Sequence, residues 1–195
     1  MLGGREKCGI VAGALALATF SGTRDAAAEE RGPYVHFFGA VAAGEALRFN
    51  NPYRLSTQLG RTGRSVSLAA PYVDFSGAAL VGSPTFIHHG VHAHLSTALA
   101  GISQSVFAPS YIAALRRPEF TAYARLGAPI VLGPQVTTGL EIGVGGLYYL
   151  RSGLALTAEL GESAFYGAAT REVAATFIPL TYLQVGVAVD FEVLP

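Results

Sequence analysis

TYLQVGVAVDFEV, residues 181–193, alternates with a period of two from end to end. Thr181, Leu183, Val185, Val187, Val189, Phe191 and Val193 make one face, and Tyr182, Gln184, Gly186, Ala188, Asp190 and Glu192 make the other. Successive strand side chains point to opposite sides, so this is a strand with an apolar face and a small or polar face. The pattern recurs. Leu140, Ile142, Val144, Gly146, Tyr148 and Leu150 oppose Gly139, Glu141, Gly143, Gly145, Leu147 and Tyr149. Residues 154–163, 91–100 and 120–127 repeat it, as do 34–46 and 65–82, the last kinked at Pro71. An even, closed barrel needs an eighth strand, and Pro52–Gly60 is the best alternating candidate, followed by a Gly60–Gly63 turn. Arg151-Ser152 reads as a tight hairpin connection. One segment breaks the period: Pro109–Arg117 reads as a short helix, with Ser110 as its cap and Pro118 as its stop.

Composition decides what such strands can face. Charged residues are 13% of the 195 and apolar residues 51%, with a mean hydropathy of +0.40. Lys7 is the only lysine. A soluble domain of this size covers itself with far more charge, yet no stretch reaches the ~20 apolar residues of a spanning helix. The formal charge is zero, which removes the electrostatic case for nucleic acid. Cys8 is the only cysteine, so no intrachain disulfide or thiolate metal site can form. Arg5 and Lys7 precede an apolar run ending at Phe20, and Ala26-Ala27-Ala28 supplies small residues before Glu29. Residues 1–28 are therefore expected to be a secretory signal, and 29–195 the barrel domain.

The large aliphatic side chains fill one face of whole strands, whereas the other face is Gly, Ala, Ser and Thr with single carboxylates among them. A narrow barrel interior needs small residues and holds charges when they pair. The apolar face is thus expected to meet lipid. Aromatics near strand ends, among them Tyr34, Phe37, Tyr72, Phe120, Tyr148, Tyr149, Phe165, Tyr166 and Phe191, suit interfacial girdles. The expected fold is all-β: an antiparallel up-and-down transmembrane β-barrel of eight strands with one short helical connection. The soluble alternative is a secreted lipocalin-like ligand carrier, whose apolar face would point inward.

On this pattern, from Tyr34 to Leu194, the chain resembles the small outer-membrane β-barrel families, of which the OmpA transmembrane domain is the best-known type. The resemblance implies a place in the bacterial outer membrane, outer-membrane lipid as partner and the barrel-assembly machinery during biogenesis. It also implies a monomer with no cofactor. Such chains usually close on a terminal aromatic; here Phe191 lies four residues before Pro195.

The strand faces place Asp74, His92, His94, Ser96, Arg125, Glu141, Glu159, Asp190 and Glu192 inside, and leave Glu45 unassigned. Arg125 is the clear interior cation, expected to face Glu141, Glu159 and Asp190, with Asp74 in the same network that fills the lumen. Surplus carboxylates would instead suit a narrow solute or ion channel. Four histidines fall in His88–His94, where His92 and His94 share a face; polar filler is expected there rather than a metal site. His94-x-Ser96 resembles the His-x-Ser arrangement of the lipid A deacylases, an outer-membrane barrel family with a His-Ser-Glu triad. The resemblance implies a membrane hydrolase, but Thr97 stands where that family has asparagine, and its triad faces lipid. The expected function is a structural or binding role in the envelope without catalysis.

Overall fold

The computed structural model describes residues 34–49, 66–82, 87–101, 103–133, 136–166 and 177–193. Ten strands run through them: β1 (Tyr34–Phe49), β2 (Val66–Leu68), β3 (Tyr72–Gly82), β4 (His88–Ala98), β5 (Ser105–Arg116), β6 (Phe120–Gly127), β7 (Ile130–Val131), β8 (Thr137–Arg151), β9 (Leu154–Tyr166) and β10 (Phe177–Val193). All pairings are antiparallel between neighbours, and β10 returns to β1, so the sheet closes. Two strands are interrupted. Along β1 the register shifts by one residue between Leu68 and Tyr72, a bulge at Pro71 that accounts for the expected kink. Between β6 and β7 the register against β5 runs through unchanged. There Pro109 and Pro129 withdraw two N–H donors from the ladder. Taking β2–β3 and β6–β7 as single staves, the barrel has eight.

The short helix expected over Pro109–Arg117 is not there. Among the described residues there is no helix, and this segment is the body of β5, paired to β4 and β6. Alanine on both faces hides the alternation, and Pro109 reads as a helix start although it sits where the ladder is already short of donors. The eighth stave is β5. Pro52–Gly60 and the segment 1–28 lie outside the described residues. With β5 a strand, the β5–β6 connection is only residues 117–119 and the β8–β9 turn only 152–153, the latter closed by Gly153 at φ +78°. Both lie at the end where β1 starts and β10 stops; the other end carries the longer connections, such as 50–65 and 167–176.

Following paired residues around the barrel from Phe37 through Ala79, Val91, Tyr111, Leu126, Ile142, Glu162 and Thr181 returns to β1 at Leu47, ten residues from the start. Eight staves with this stagger tilt by about 40° and give a backbone radius of about 8 Å. An 11-residue stave such as β4 then rises about 25–30 Å, which matches a membrane's apolar band. The faces are inverted relative to a soluble protein. Val91, Val144, Leu160, Leu183 and Val187 are all at least half exposed, while Asp74, Arg125, Glu141, Glu159 and Asp190 are buried. Glu45 faces outward, as the register through Phe37 and Val41 requires. Of the expected girdle, Phe37, Phe120, Tyr148, Tyr166 and Phe191 point outward, but Tyr72 and Tyr149 turn into the lumen.

Candidate functional site

The inward side chains are stacked in three layers, and β5, β6, β8 and β10 spell them in the same order. Starting from the short-turn end, β1 presents His36 and then Phe38; β5 presents Arg116, Ala114, Ile112 and Ser110. On β6 the order is Thr121, Tyr123, Arg125; on β8 it is Tyr149, Leu147, then Glu141 beyond two glycines. On β10 it is Asp190, Ala188, then Gln184. On those strands polar, apolar, polar is written at period two, whereas β4 sets His92 between His88 and His94 and β9 runs Ala155, Thr157, Glu159. The middle layer is one cluster of Phe38, Ala78, Leu80, Ile112, Ala114, Tyr123, Leu147, Ala155 and Ala188. Leu80, Ile112 and Leu147 within it are almost wholly buried. It forms an apolar septum across the lumen.

Above it, Arg125 commits all five of its guanidinium hydrogens. Nε donates to Glu159 Oε1 at 3.0 Å, and Nη2 donates to the same oxygen at 2.7 Å and to the Tyr182 hydroxyl at 2.8 Å. Nη1 donates to Ser110 Oγ at 3.3 Å and to Glu141 Oε1. Tyr123 and Tyr182 donate to the two Glu159 oxygens, at 2.9 and 2.8 Å, and Ser163 donates to Glu141 Oε2 at 2.7 Å. His94 extends the network: its Nδ1 lies 2.6 Å from Asp74 Oδ2 and its Nε2 3.0 Å from Glu141 Oε1. Carboxylates only accept, so both imidazole nitrogens are donors here. Room for these side chains comes from inward glycines. A Cβ on Gly161 would stand 2.1 Å from the Tyr182 hydroxyl, and one on Gly143 would stand 2.9 Å from Glu159 Oε1. Charges this deep survive only when paired.

Below the septum lies a second network. Arg116 Nη2 meets Asp190 Oδ2 at 2.8 Å, Tyr149 donates to the same carboxylate, and Thr121 Oγ1 is 2.9 Å from the Tyr149 hydroxyl. His36 stands near Asp190 and Glu192, at 4.0 and 3.8 Å, beyond hydrogen-bond range. Asp190 is thus not a partner of Arg125; the septum separates them. Arg116, its actual partner, cannot be found while 109–117 is read as a helix, and becomes inward once the segment is read at period two. Tyr123, Tyr182 and Ser163 are inward by the same alternation, but nothing in sequence marks them as network members rather than filler.

Ser96 and His94 lie together between two acids, Asp74 and Glu141. The Ser96 hydroxyl donates to Asp74 Oδ2 at 2.7 Å and lies 3.3 Å from His94 Nδ1, which is closer to Asp74, while Glu141 meets Nε2. His92 and His94 have ring centroids 5.9 Å apart, and His92 tilts against Phe38 instead. Among the described residues, no group of three or more His, Cys, Asp or Glu is arranged to hold a metal.

No family model and no curated protein matches the sequence. Solved structures do. Ail, the attachment invasion locus protein of Yersinia pestis, aligns with a TM-score of 0.51 and 11% identity over 79% of this chain and 98% of that one. The N-terminal β-barrel domain of Pseudomonas aeruginosa OprF gives 0.46 and 12% over 78% and 97%. Neisserial surface protein A gives 0.45 and 16% over 80% and 97%. The chain has the closed, antiparallel eight-stranded fold of the small outer-membrane barrels.

Proposed function

We propose that this protein is an integral barrel of the bacterial outer membrane, with a sealed lumen and a structural or binding role in the envelope. The observation that carries the reading is the inversion of its faces: paired charges inside, and a belt of half-exposed Leu, Val, Ile and Phe outside. In water that belt would be a very large apolar patch; in lipid it is the expected surface. The connectivity supports the same reading, with both barrel termini and the shortest turns at one end, as periplasmic ends have. Against conduction stands the apolar cluster around Leu80, Ile112 and Leu147, which is almost wholly buried between the two networks. Against hydrolysis stands the engagement of the Ser96 hydroxyl by Asp74.

Fractionation tests it. The full chain should stay with membranes through a urea wash, need detergent for extraction, and migrate faster in gels unheated than boiled. Release by urea as a detergent-free soluble protein would sink the membrane reading.

A further inference from the structure

We propose that the layer above the septum holds one small monovalent cation, seated on Oδ1 of Asp74. Three buried carboxylates lie in that layer: Asp74, Glu141 and Glu159. Both Glu159 oxygens accept hydrogen bonds, from Arg125, Tyr123 and Tyr182. Both Glu141 oxygens do so from Arg125, His94 and Ser163. Asp74 Oδ2 accepts from His94 and Ser96. Asp74 Oδ1 alone among these oxygens is buried without a partner. The residue is 1% exposed, so bulk water does not serve it.

The charges of the layer are unequal too. Arg125, and a His94 that donates from both nitrogens, set two positive charges against three carboxylates. One negative charge is left over, and the unfilled oxygen marks its place. Unpaired charge at this depth is costly. No other side chain neutralises it. Arg116 is committed to Asp190 in the lower layer. Arg48 faces the lumen six residues along β1 from Ala42, the residue opposite Asp74, a separation of about 20 Å along the strand. His92 is buried with Nδ1 unpartnered, whereas an imidazolium needs an acceptor for each nitrogen, so His92 is neutral. A proton on Asp74 Oδ1 would leave a buried O–H with no acceptor.

The inner wall leaves room at this point. Ala42 faces Asp74 from β1, with Ala40 and Gly44 beside it on the same face, so no long side chain of that strand competes for the carboxylate. On β3 itself Asp74 stands between Tyr72 and Ser76, both hydroxyl-bearing. Tyr72 donates to Gln184 Oε1 at 3.3 Å, which leaves its oxygen lone pairs for a cation. Tyr72 and Ser96, towards the end with the longer connections, are partly exposed, and an ion would enter there. One carboxylate oxygen with hydroxyls is an all-oxygen set of single charge, which suits an alkali ion such as sodium. A divalent ion would convert the surplus negative charge into a positive one. A zinc-type ion would need a ligand group that the described residues do not form.

The test uses the full chain in detergent at fixed neutral pH, and reads the temperature at which the compact gel form is lost. Sodium chloride is compared with choline chloride at equal ionic strength. Wild type should melt higher in sodium, with a response that saturates as a single site does. Asp74→Asn removes the surplus charge and should melt alike in the two salts. Sodium NMR gives a second reading that does not depend on the variant's folding: wild-type protein should broaden the sodium resonance beyond the effect of detergent alone. Equal melting of wild type in both salts, as a water or a proton on Oδ1 would give, overturns the site. So does a sodium response that Asp74→Asn retains, which would put the ion on outward carboxylates such as Glu45 and Glu162. An unbroadened resonance overturns it as well.

Discussion

Arg125 shows how much of the lumen hangs on one side chain. Its five donors tie β5, β8, β9 and β10 together through Ser110, Glu141, Glu159 and Tyr182. Removing the cation strands two buried carboxylates, so Arg125→Met should cost about 3–5 kcal/mol. Denaturant-induced loss of the compact gel form, or of the strand signal in circular dichroism, would measure it. Replacing Glu141 and Glu159 by Gln in the same background should recover part of that cost, because neutral amides need no counter-charge. An Arg125→Met protein as stable as wild type would contradict the network's role. Space matters as much as charge. Gly161→Val drives a branched side chain into the position of the Tyr182 hydroxyl, and overpacking of this kind costs about 1–3 kcal/mol. The same assay reads it; a neutral Gly161→Val would mean that Tyr182 can leave Arg125 freely.

At the scale of the strand, β5 separates what the sequence makes plain from what it conceals. Single cysteines at 107, 111 and 115, in a Cys8→Ser background, should be reached by lipid-phase quenchers, and those at 108, 112 and 114 should be shielded. A helix would scatter accessibility with a period near 3.6 instead. If 107 and 108 were equally quenched, the strand assignment would fail. The strands that read clearly, such as β10 and β8, have bulky aliphatics on one face and small or charged groups on the other, so the period is visible in side-chain size. In β5 both faces carry alanine, and Phe107, Tyr111 and Leu115 stand too far apart to outweigh Pro109 and Pro118. The lumen was legible to the same extent. Inward Asp74, His94, Arg125, Glu141 and Glu159 follow from parity alone. Which carboxylate meets which cation depends on register and stagger across several strands, and that is why Asp190 looks like a partner of Arg125 in sequence and bonds Arg116 in the fold.

For the whole molecule, the apolar cluster between two charged layers predicts a closed cylinder rather than a tube. Its two layers pair their charges separately, Arg125 with Glu141 and Glu159 and Arg116 with Asp190. Water and ions would have to cross a layer lined mainly by Phe38, Leu80, Ile112 and Leu147, with His92 against Phe38 as its polar member. Purified wild-type protein in a planar bilayer should therefore show no steady conductance. Opening the cylinder should require removing the septum and leaving the networks in place. Leu80→Ala, Ile112→Ala and Leu147→Ala together delete the three largest aliphatic side chains of that layer and should produce a small, stable ionic leak. Each removal also carries a cavity cost of about 2–5 kcal/mol, so the folded state must be checked by gel migration before the leak is read. Steady unitary conductance in the wild type would show that the two networks already communicate, and the closed reading would give way to a channel whose constriction is Arg125 and its carboxylates.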